Sequence, residues 1–536
     1  MRKKIVFLGI ICLHFLGFAQ DEDAWVFFTD KENVAQSIAN PLTILTQRAI
    51  DRKANQGIAI DDRDVPVNET YITQVKNASG ITVLAKSKWF NAIHVRGAEA
   101  DISALETTFA FVSSIEFADD GLNTLAPFSP VNKFEIEDTA VDFVYGDAFN
   151  QVDMINVDYL HQQDYTGSGI IIAVLDAGFP NVDTMGAFQR LRDDGNLLDG
   201  YDFVDRTDAV YAYTGNSHGT RVLSTMAAYV ENQYVGTAPD AQYYLFRTED
   251  AGSETPVEES YWVEAAERAD SLGVDIINTS LGYKGYDNPN YSHSNEDLDG
   301  ATTFITRGSN IAYEKGLLLV TSAGNSGASG VGAPADSPVV MSIGAVDADG
   351  NYASFSSQGS AIQPTQKPNV VARGAATYLV NQNNTITQNN GTSFSSPIMA
   401  GAMACFKQAF PNMSNDDLKQ AVHESASQYT TPDYFLGYGI PNFEDALNDA
   451  LSANTFEIAQ FEMYPNPVKD KVHFAFPETS EQATVYIFDI LGKLSLEASI
   501  NTTENTINIE GLSNGLYMLR VQSENQNVTI FKLLKE

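Results

Sequence analysis

Cleaving an amide takes a nucleophile, a base to activate it, a group to orient that base, and donors for the oxyanion that forms. The chain has seven histidines, and only His218 opens a tight glycine-containing run, Ser217-His218-Gly219-Thr220. Gly219 lets another backbone approach closely, and the pattern that follows predicts a helix over 218–230. Asp176, in Val174-Leu175-Asp176-Ala177-Gly178, follows the most apolar strand of the chain. Its carboxylate is expected at the carboxyl end of a buried parallel strand, facing the crevice where open α/β sheets bind ligands. Ser393, in Gly391-Thr392-Ser393-Phe394-Ser395-Ser396-Pro397, begins a long helix rich in Ala, Gly and Met. A helix start offers free N–H groups and the positive end of the dipole to a developing oxyanion. Asn325, in Ser322-Ala323-Gly324-Asn325-Ser326-Gly327, carries a side-chain amide on a loop of small residues. Each motif alone has a plain structural explanation: a strand-ending Asp is a cap or turn residue, a helix-starting Ser is an N-cap, and the Asn loop is a turn. His423 falls mid-helix and reads as a surface or packing residue.

These side chains need a frame. From 151 to 453 strands and helices alternate. Strands are predicted at 170–175, 242–247, 274–278, 317–321 and 339–346, and helices at 257–272, 300–315 and 392–410. The run 170–175 is continuously apolar, as in a strand buried on both faces. The βαβα order predicts an α/β domain with a mostly parallel sheet and right-handed crossovers. Before it, 20–126 reads as a compact α+β unit, with strands at 25–28 and 81–84, a helix at 101–107 and an extended piece from Phe111. The polar stretch 127–150, with Pro127 and Pro130, is a connector. In 461–536 alternating runs at 471–476 and 484–488 are separated by turn signals such as Leu491-Gly492-Lys493 and Asn514-Gly515, the pattern of a small antiparallel β-sandwich.

The 536 residues carry a formal net charge of −37. With no basic stripe, this charge excludes nucleic acid as a partner and suits solubility outside the cell. It also leaves carboxylates to spare for structural Ca²⁺, which takes several oxygen ligands; no EF-hand-type spacing is present, so no ligand set is assigned. Arg2, Lys3 and Lys4, the apolar run 5–18 and Gly17-Phe18-Ala19 form a signal peptide (1–19), with cleavage after Ala19. The run is too short to span a bilayer, no later stretch is apolar enough to do so, and Ile11 before Cys12 argues against lipidation. Removing the signal leaves one thiol, Cys405, and no internal disulfide, which a domain of this size can do without. Cys405 lies on the apolar helix that Ser393 begins and reads as a small core residue, not a nucleophile.

The four motifs lie 42, 107 and 68 residues apart, measured from Asp176 through His218 and Asn325 to Ser393. In this order they resemble the subtilisin-like serine peptidase family: Asp, then His-Gly-Thr, then Ala-Gly-Asn, then Gly-Thr-Ser-x-(Ala/Ser)-x-Pro. The resemblance continues in Asn278-Thr279-Ser280-Leu281-Gly282 and in Lys367-Pro368-Asn369. It implies a three-layer α/β domain and a secreted serine endopeptidase that needs no cofactor for its chemistry. By the same resemblance Ser393 is the nucleophile, His218 the base, Asp176 its orienting partner, and Asn325 with the Ser393 N–H the oxyanion site. Ser280, Leu281 and Gly282, with Ala323 and Gly324, would bind the substrate backbone. Gly327, Ser329 and Gly330 suggest a roomy first pocket and broad selectivity. One departure is Ala177, where the family usually has Thr or Ser; a modest effect on Asp176 is expected.

The N-terminal unit resembles the family's inhibitory propeptides, with cleavage expected between about 117 and 149. The C-terminal unit resembles type IX secretion sorting domains in Tyr464-Pro465-Asn466-Pro467, Leu491-Gly492-Lys493, Gly515-Leu516-Tyr517 and Phe531-Lys532-Leu533-Leu534-Lys535. The partners implied are protein or peptide substrates, the chain's own propeptide and the type IX machinery, with delivery through the periplasm to the surface or medium. The competing possibilities are an inactive peptidase fold kept for binding, against which all four motifs stand, and an adhesion or carbohydrate-binding role for the sandwich.

Overall fold

The computed structural model describes residues 21–119, 121, 143–456, 461–476, 481–489, 493–523 and 528–536. The signal peptide, most of the connector and Leu491-Gly492 lie outside the described residues. Two compact units divide the chain, up to Leu447 and from Asn448 onward.

The first unit is built on a seven-stranded parallel sheet. Its order is Val370–Arg373, Met341–Val346, Leu318–Ser322, Ile276–Thr279, Ile171–Asp176, Gln242–Arg247 and Leu197–Asp202. The apolar run predicted at 170–175 is the central strand, and every residue of Ile171–Asp176 is buried, because helices cover both faces of such a sheet. The helix Val257–Leu272 matches its expected span. Two helices are shorter than their patterns suggest. The one expected over 218–230 is His218–Ala227; Ala228 turns extended, and the β-branched and aromatic pair Tyr229–Val230 joins a short hairpin with Tyr234–Val235. The one expected over 300–315 is Phe304–Glu314, because the Thr303 side chain accepts from the Thr306 N–H and caps the helix there. Sequence periodicity did not find the edge strands Leu197–Asp202 and Val370–Arg373, which are short and carry polar residues.

Residues of the N-terminal unit form a four-stranded antiparallel sheet, ordered Thr82–Ser87, Ala92–Ala98, Asp21–Phe28 and Val112–Phe117. Its two faces follow the period of two along a strand. Ala24, Val26 and Phe28 join Val75, Ile102 and Leu105 from the helices Glu69–Lys76 and Glu99–Thr108. Trp25 points the other way and packs with Tyr261, Trp262 and Phe304 of the parallel-sheet domain, stacked on Phe304 at 4.4 Å between ring centroids. On that face the Glu267 carboxylate accepts from Ser87 Oγ (2.5 Å) and from the Lys88 and Trp89 N–H groups (2.9 Å each). Burial pushes its pKa up to about 7 despite the nearby Lys88 charge and these donors.

The second unit contains a three-stranded and a four-stranded antiparallel sheet. Val472, Phe474, Val485, Ile487, Leu519, Val521 and Leu533 fill its core, as the alternation in the sequence requires. No helix among the described residues is long and apolar enough to cross a membrane.

Candidate active site

The chain lays Gln242–Arg247 on one side of Ile171–Asp176 and then Ile276–Thr279 on the other. At such a switch point the connections leave in opposite directions and open a crevice at the carboxyl ends of the strands. Asp176 ends the central strand there, with its carboxyl group fully buried. His218, the first residue of its helix, places Nδ1 2.7 Å from Asp176 Oδ1. The helix start is pinned to the loop after Asp176: Thr220 N donates to the Gly178 carbonyl (3.2 Å) and Thr220 Oγ1 to the Pro180 carbonyl (2.9 Å). Gly219 makes this approach possible, since a Cβ there would lie 2.7 Å from the Gly178 oxygen.

Burial works to lower the pKa of His218, but the charge and hydrogen bond of Asp176 raise it more, and the ring ends above the ordinary imidazole value. Asp176 Oδ1 also accepts the Ala177 N–H at 2.7 Å. Its other oxygen, Oδ2, is buried without a hydrogen-bond partner among the described residues. Ala177 therefore brings the carboxylate a backbone donor but no hydroxyl.

Ser393 lies in the first turn of the helix Thr392–Ala409, where backbone N–H groups lack an intrahelical acceptor. Pro397 is four residues on and has no N–H to give the Ser393 carbonyl. Ser280 Oγ supplies that missing donor at 2.9 Å. Ser393 Oγ in turn donates to the Ser280 carbonyl at 3.3 Å, and Ser396 Oγ donates to Asn278 Oδ1 at 3.0 Å. The end of the strand Ile276–Thr279 and the start of the Ser393 helix are thus locked together. Asn325 is exposed, and its Oδ1 accepts from Thr392 N (2.9 Å) and Thr392 Oγ1 (3.1 Å). Those two bonds orient the amide, leaving its N–H₂ for another acceptor.

Among the other expected substrate contacts, Ser280 is buried, Leu281 half-buried and Gly282 exposed, while Gly324 is half-buried. The Ala323 methyl is buried with Val331 and Ala335. Cys405 is buried and free, donating to the Thr237 carbonyl at 3.2 Å, and burial pushes its thiol pKa well up. That is the setting of an inert core thiol. His423 stacks on Tyr438 at 4.7 Å, a packing role.

Sequence reasoning missed Glu249. It follows the strand beside Asp176, is nearly buried, and accepts from Tyr283 Oη at 2.9 Å. Tyr283 comes directly after Leu281-Gly282 and pairs with Ala333 through two backbone hydrogen bonds of 2.8 and 3.0 Å. Burial and the neighbouring Glu254 charge push the Glu249 pKa up to about 8. Glu249, Glu254 and Glu258 each bring an oxygen within 4.8 Å of the others, a donor set that a divalent cation would fit. Burial, and then Glu249, also push Glu258 up to about 9, so shared protons account for the close packing equally well. In a chain with 69 acidic residues, a spacing of three glutamates gave no usable signal.

Comparison with known proteins agrees with this architecture. Residues 167–439 match the model of the subtilase family, 23–133 that of the peptidase S8 propeptide domain of Bacteroidota, and 462–536 that of a secretion system C-terminal sorting domain. Subtilisin DY of Bacillus licheniformis is 32% identical over 301 residues, covering 55% of this chain and 97% of that protein. Subtilisin E of Bacillus subtilis is 31% identical over 300 residues, covering 55% and 70%. An alkaline protease of Shouchella clausii is 29% identical over 336 residues, covering 62% and 79%. With its family model spanning half the chain and a propeptide and sorting domain on either side, the protein belongs to the subtilase family: it is a serine endopeptidase made as a precursor and directed to secretion or the cell surface.

Proposed function

We propose that the protein hydrolyses peptide bonds through an acyl-enzyme on Ser393, with His218 as base and Asp176 as its orienting partner. The observation that carries this is the 2.7 Å bond between His218 Nδ1 and a buried Asp176 carboxylate in the crevice where Ser393 begins its helix. With Nδ1–H held by Asp176, Nε2 is the acceptor tautomer. The Ser393 hydroxyl leaves the Ser280 carbonyl, donates to Nε2 and attacks the scissile carbonyl. The Asn325 amide and the Ser393 N–H receive the oxyanion. His218 returns the proton to the leaving amine, and water repeats the cycle on the ester. The first test is casein hydrolysis by the purified, processed protein. Its absence from a fully processed sample would move an inactive binding role to the front.

We further propose that the peptidase cuts its own propeptide between about 117 and 149, and that Leu281, Gly282 and Gly324 flank the substrate backbone. The small residues Gly327, Ser329 and Gly330 support broad selectivity, to be checked with a peptide library. A single strict side-chain preference would overturn that. Structural Ca²⁺ is proposed only as a stabiliser, not a participant.

Asn325→Ala is expected to lower kcat about 10²–10³-fold with KM little changed, a size taken from subtilisin itself and not from this geometry. Steady-state kinetics on a chromogenic peptide checks it, and an effect mainly on KM would place Asn325 in ground-state binding.

The base must be neutral to work, and Asp176 raises the His218 pKa. The rate constant kcat/KM is therefore expected to fall as pH drops, with its midpoint above the ordinary imidazole value of about 6.5. A pH profile with an acid limb clearly below that value would contradict the assignment.

A further inference from the structure

Residues 33–66 stand out in the propeptide. The stretch lies between the strand Asp21–Phe28 and the helix Glu69–Lys76 and adds no strand to the sheet. Among the described residues, none from 33 to 66 joins the apolar core of that sheet. A segment this short cannot build a core of its own, because below about 40 residues burial is too small. Its side chains Arg48, Arg52, Lys53, Gln56, Arg63 and Asp64 reach instead to the peptidase.

The helix Gln47–Asn55 lies across the C-terminal ends of two peptidase helices, Val257–Leu272 and Phe304–Glu314. These ends carry unpaired carbonyls and the negative pole of each dipole, and cations suit both. Arg48 Nε donates to the Gly273 carbonyl (3.0 Å), and Arg52 Nη1 to the Lys315 carbonyl (2.9 Å). Gln56 Nε2 donates to the Gly316 carbonyl at 3.2 Å. The approach is close: a Cβ on Gly273 would lie 2.7 Å from the Ala49 nitrogen, and one on Gly316 1.7 Å from Gln56 Oε1.

Under this contact runs a chain of ion pairs that starts and ends on the peptidase and passes through the propeptide. Peptidase Asp270 meets propeptide Arg52 at 2.5 Å and Lys53 at 2.8 Å. Lys53 meets Asp64 at 3.1 Å, and Asp64 meets peptidase Lys315 at 2.9 Å. The Asp270, Lys53 and Asp64 side chains are all but fully buried. The hydrogen bonds described for the Asp270 carboxylate all go to the propeptide.

We infer that residues 33–66 form a second anchor, an interaction surface through which the cleaved propeptide stays clasped to the two helix ends of the peptidase. The anchor adjoins the Glu267 contact on the same helix, Ser271 receiving both Lys88 Nζ and the Thr46 N–H, and it sets how fast the propeptide leaves. This rests on the proposal that the peptidase cuts its own precursor.

The test uses the purified full-length precursor in wild-type, Arg52→Ala, Asp270→Ala and doubly substituted forms. A denaturing gel times the cut, and a chromogenic peptide times the appearance of activity. Removing one member of a buried network leaves its remaining charges unbalanced, so each single substitution is expected to shorten the interval between cut and activity by about tenfold or more. The double variant should gain little beyond either single one, because both remove the same contact. The final kcat/KM should equal the wild-type value. Unchanged intervals in both single variants overturn the anchor. Should Asp270→Ala fail to fold, Arg48→Ala is the milder probe, its side chain being 41% exposed; it should shorten the interval severalfold, and no change overturns the anchor. A wild type that is active before any fragment appears refutes the self-cutting precursor itself, and the anchor falls with it.

Discussion

Replacing Ser393 by Ala is expected to lower kcat by about 10⁶, the loss measured when the same nucleophile is removed from subtilisin. The size is borrowed from that relative; the geometry here supplies the reason to expect it. The Ser393 hydroxyl makes one weak bond, to the Ser280 carbonyl at 3.3 Å. The stronger link, from Ser280 Oγ to the Ser393 carbonyl, uses the backbone and survives the substitution. Stability should therefore change by no more than about 1 kcal/mol, while activity disappears and uncut precursor accumulates. Thermal unfolding and a peptidase assay on the same preparation separate the two effects. A variant that unfolds many degrees early would assign Ser393 a structural role. One that still cleaves casein would remove it from the mechanism.

Asp176→Asn is expected to cost about 10⁴ in kcat, again a size known from peptidases with this arrangement. The amide keeps the shape but loses the charge, and it can hold His218 in the wrong tautomer. With the raising influence of Asp176 gone, the residual activity should show its acid limb at lower pH than the wild type. The pH profile thus distinguishes loss of orientation and charge from simple disorder of the site. An acid limb that stays in place would mean that Asp176 does not set the His218 pKa.

The candidate triad was legible in the sequence because the motifs are short, contiguous and set at strand or helix ends. Asp176 closes a run whose six residues are all buried, and such a run can be read without coordinates. Gly219 signalled a close backbone contact, and the Gly178 carbonyl provides it. What was not legible depends on pairs distant in sequence. Pro397 was visible in the motif, but not that its missing N–H makes room for Ser280 Oγ, 113 residues away. Glu249 and Tyr283 meet only because the two strands that flank Ile171–Asp176 both end at the same edge of the sheet. The propeptide's second contact was hidden because Arg52, Lys53 and Asp64 look like an ordinary solvated charge cluster until their partners Asp270 and Lys315 are placed beside them. The helix over 218–230 overran for the opposite reason: local pattern continued past Ala227, where the fold needs a hairpin.

The most direct test is covalent labelling of the processed protein with an organophosphonate bearing a fluoride leaving group, followed by peptide mass analysis. Such a reagent reacts with a serine hydroxyl that a base has activated. The mechanism predicts one phosphonyl group per molecule, on Ser393 within residues 391–397, with peptidase activity lost in proportion to labelling. A protein that cleaves casein yet remains unlabelled, or is inactivated by labelling at another residue, would contradict it.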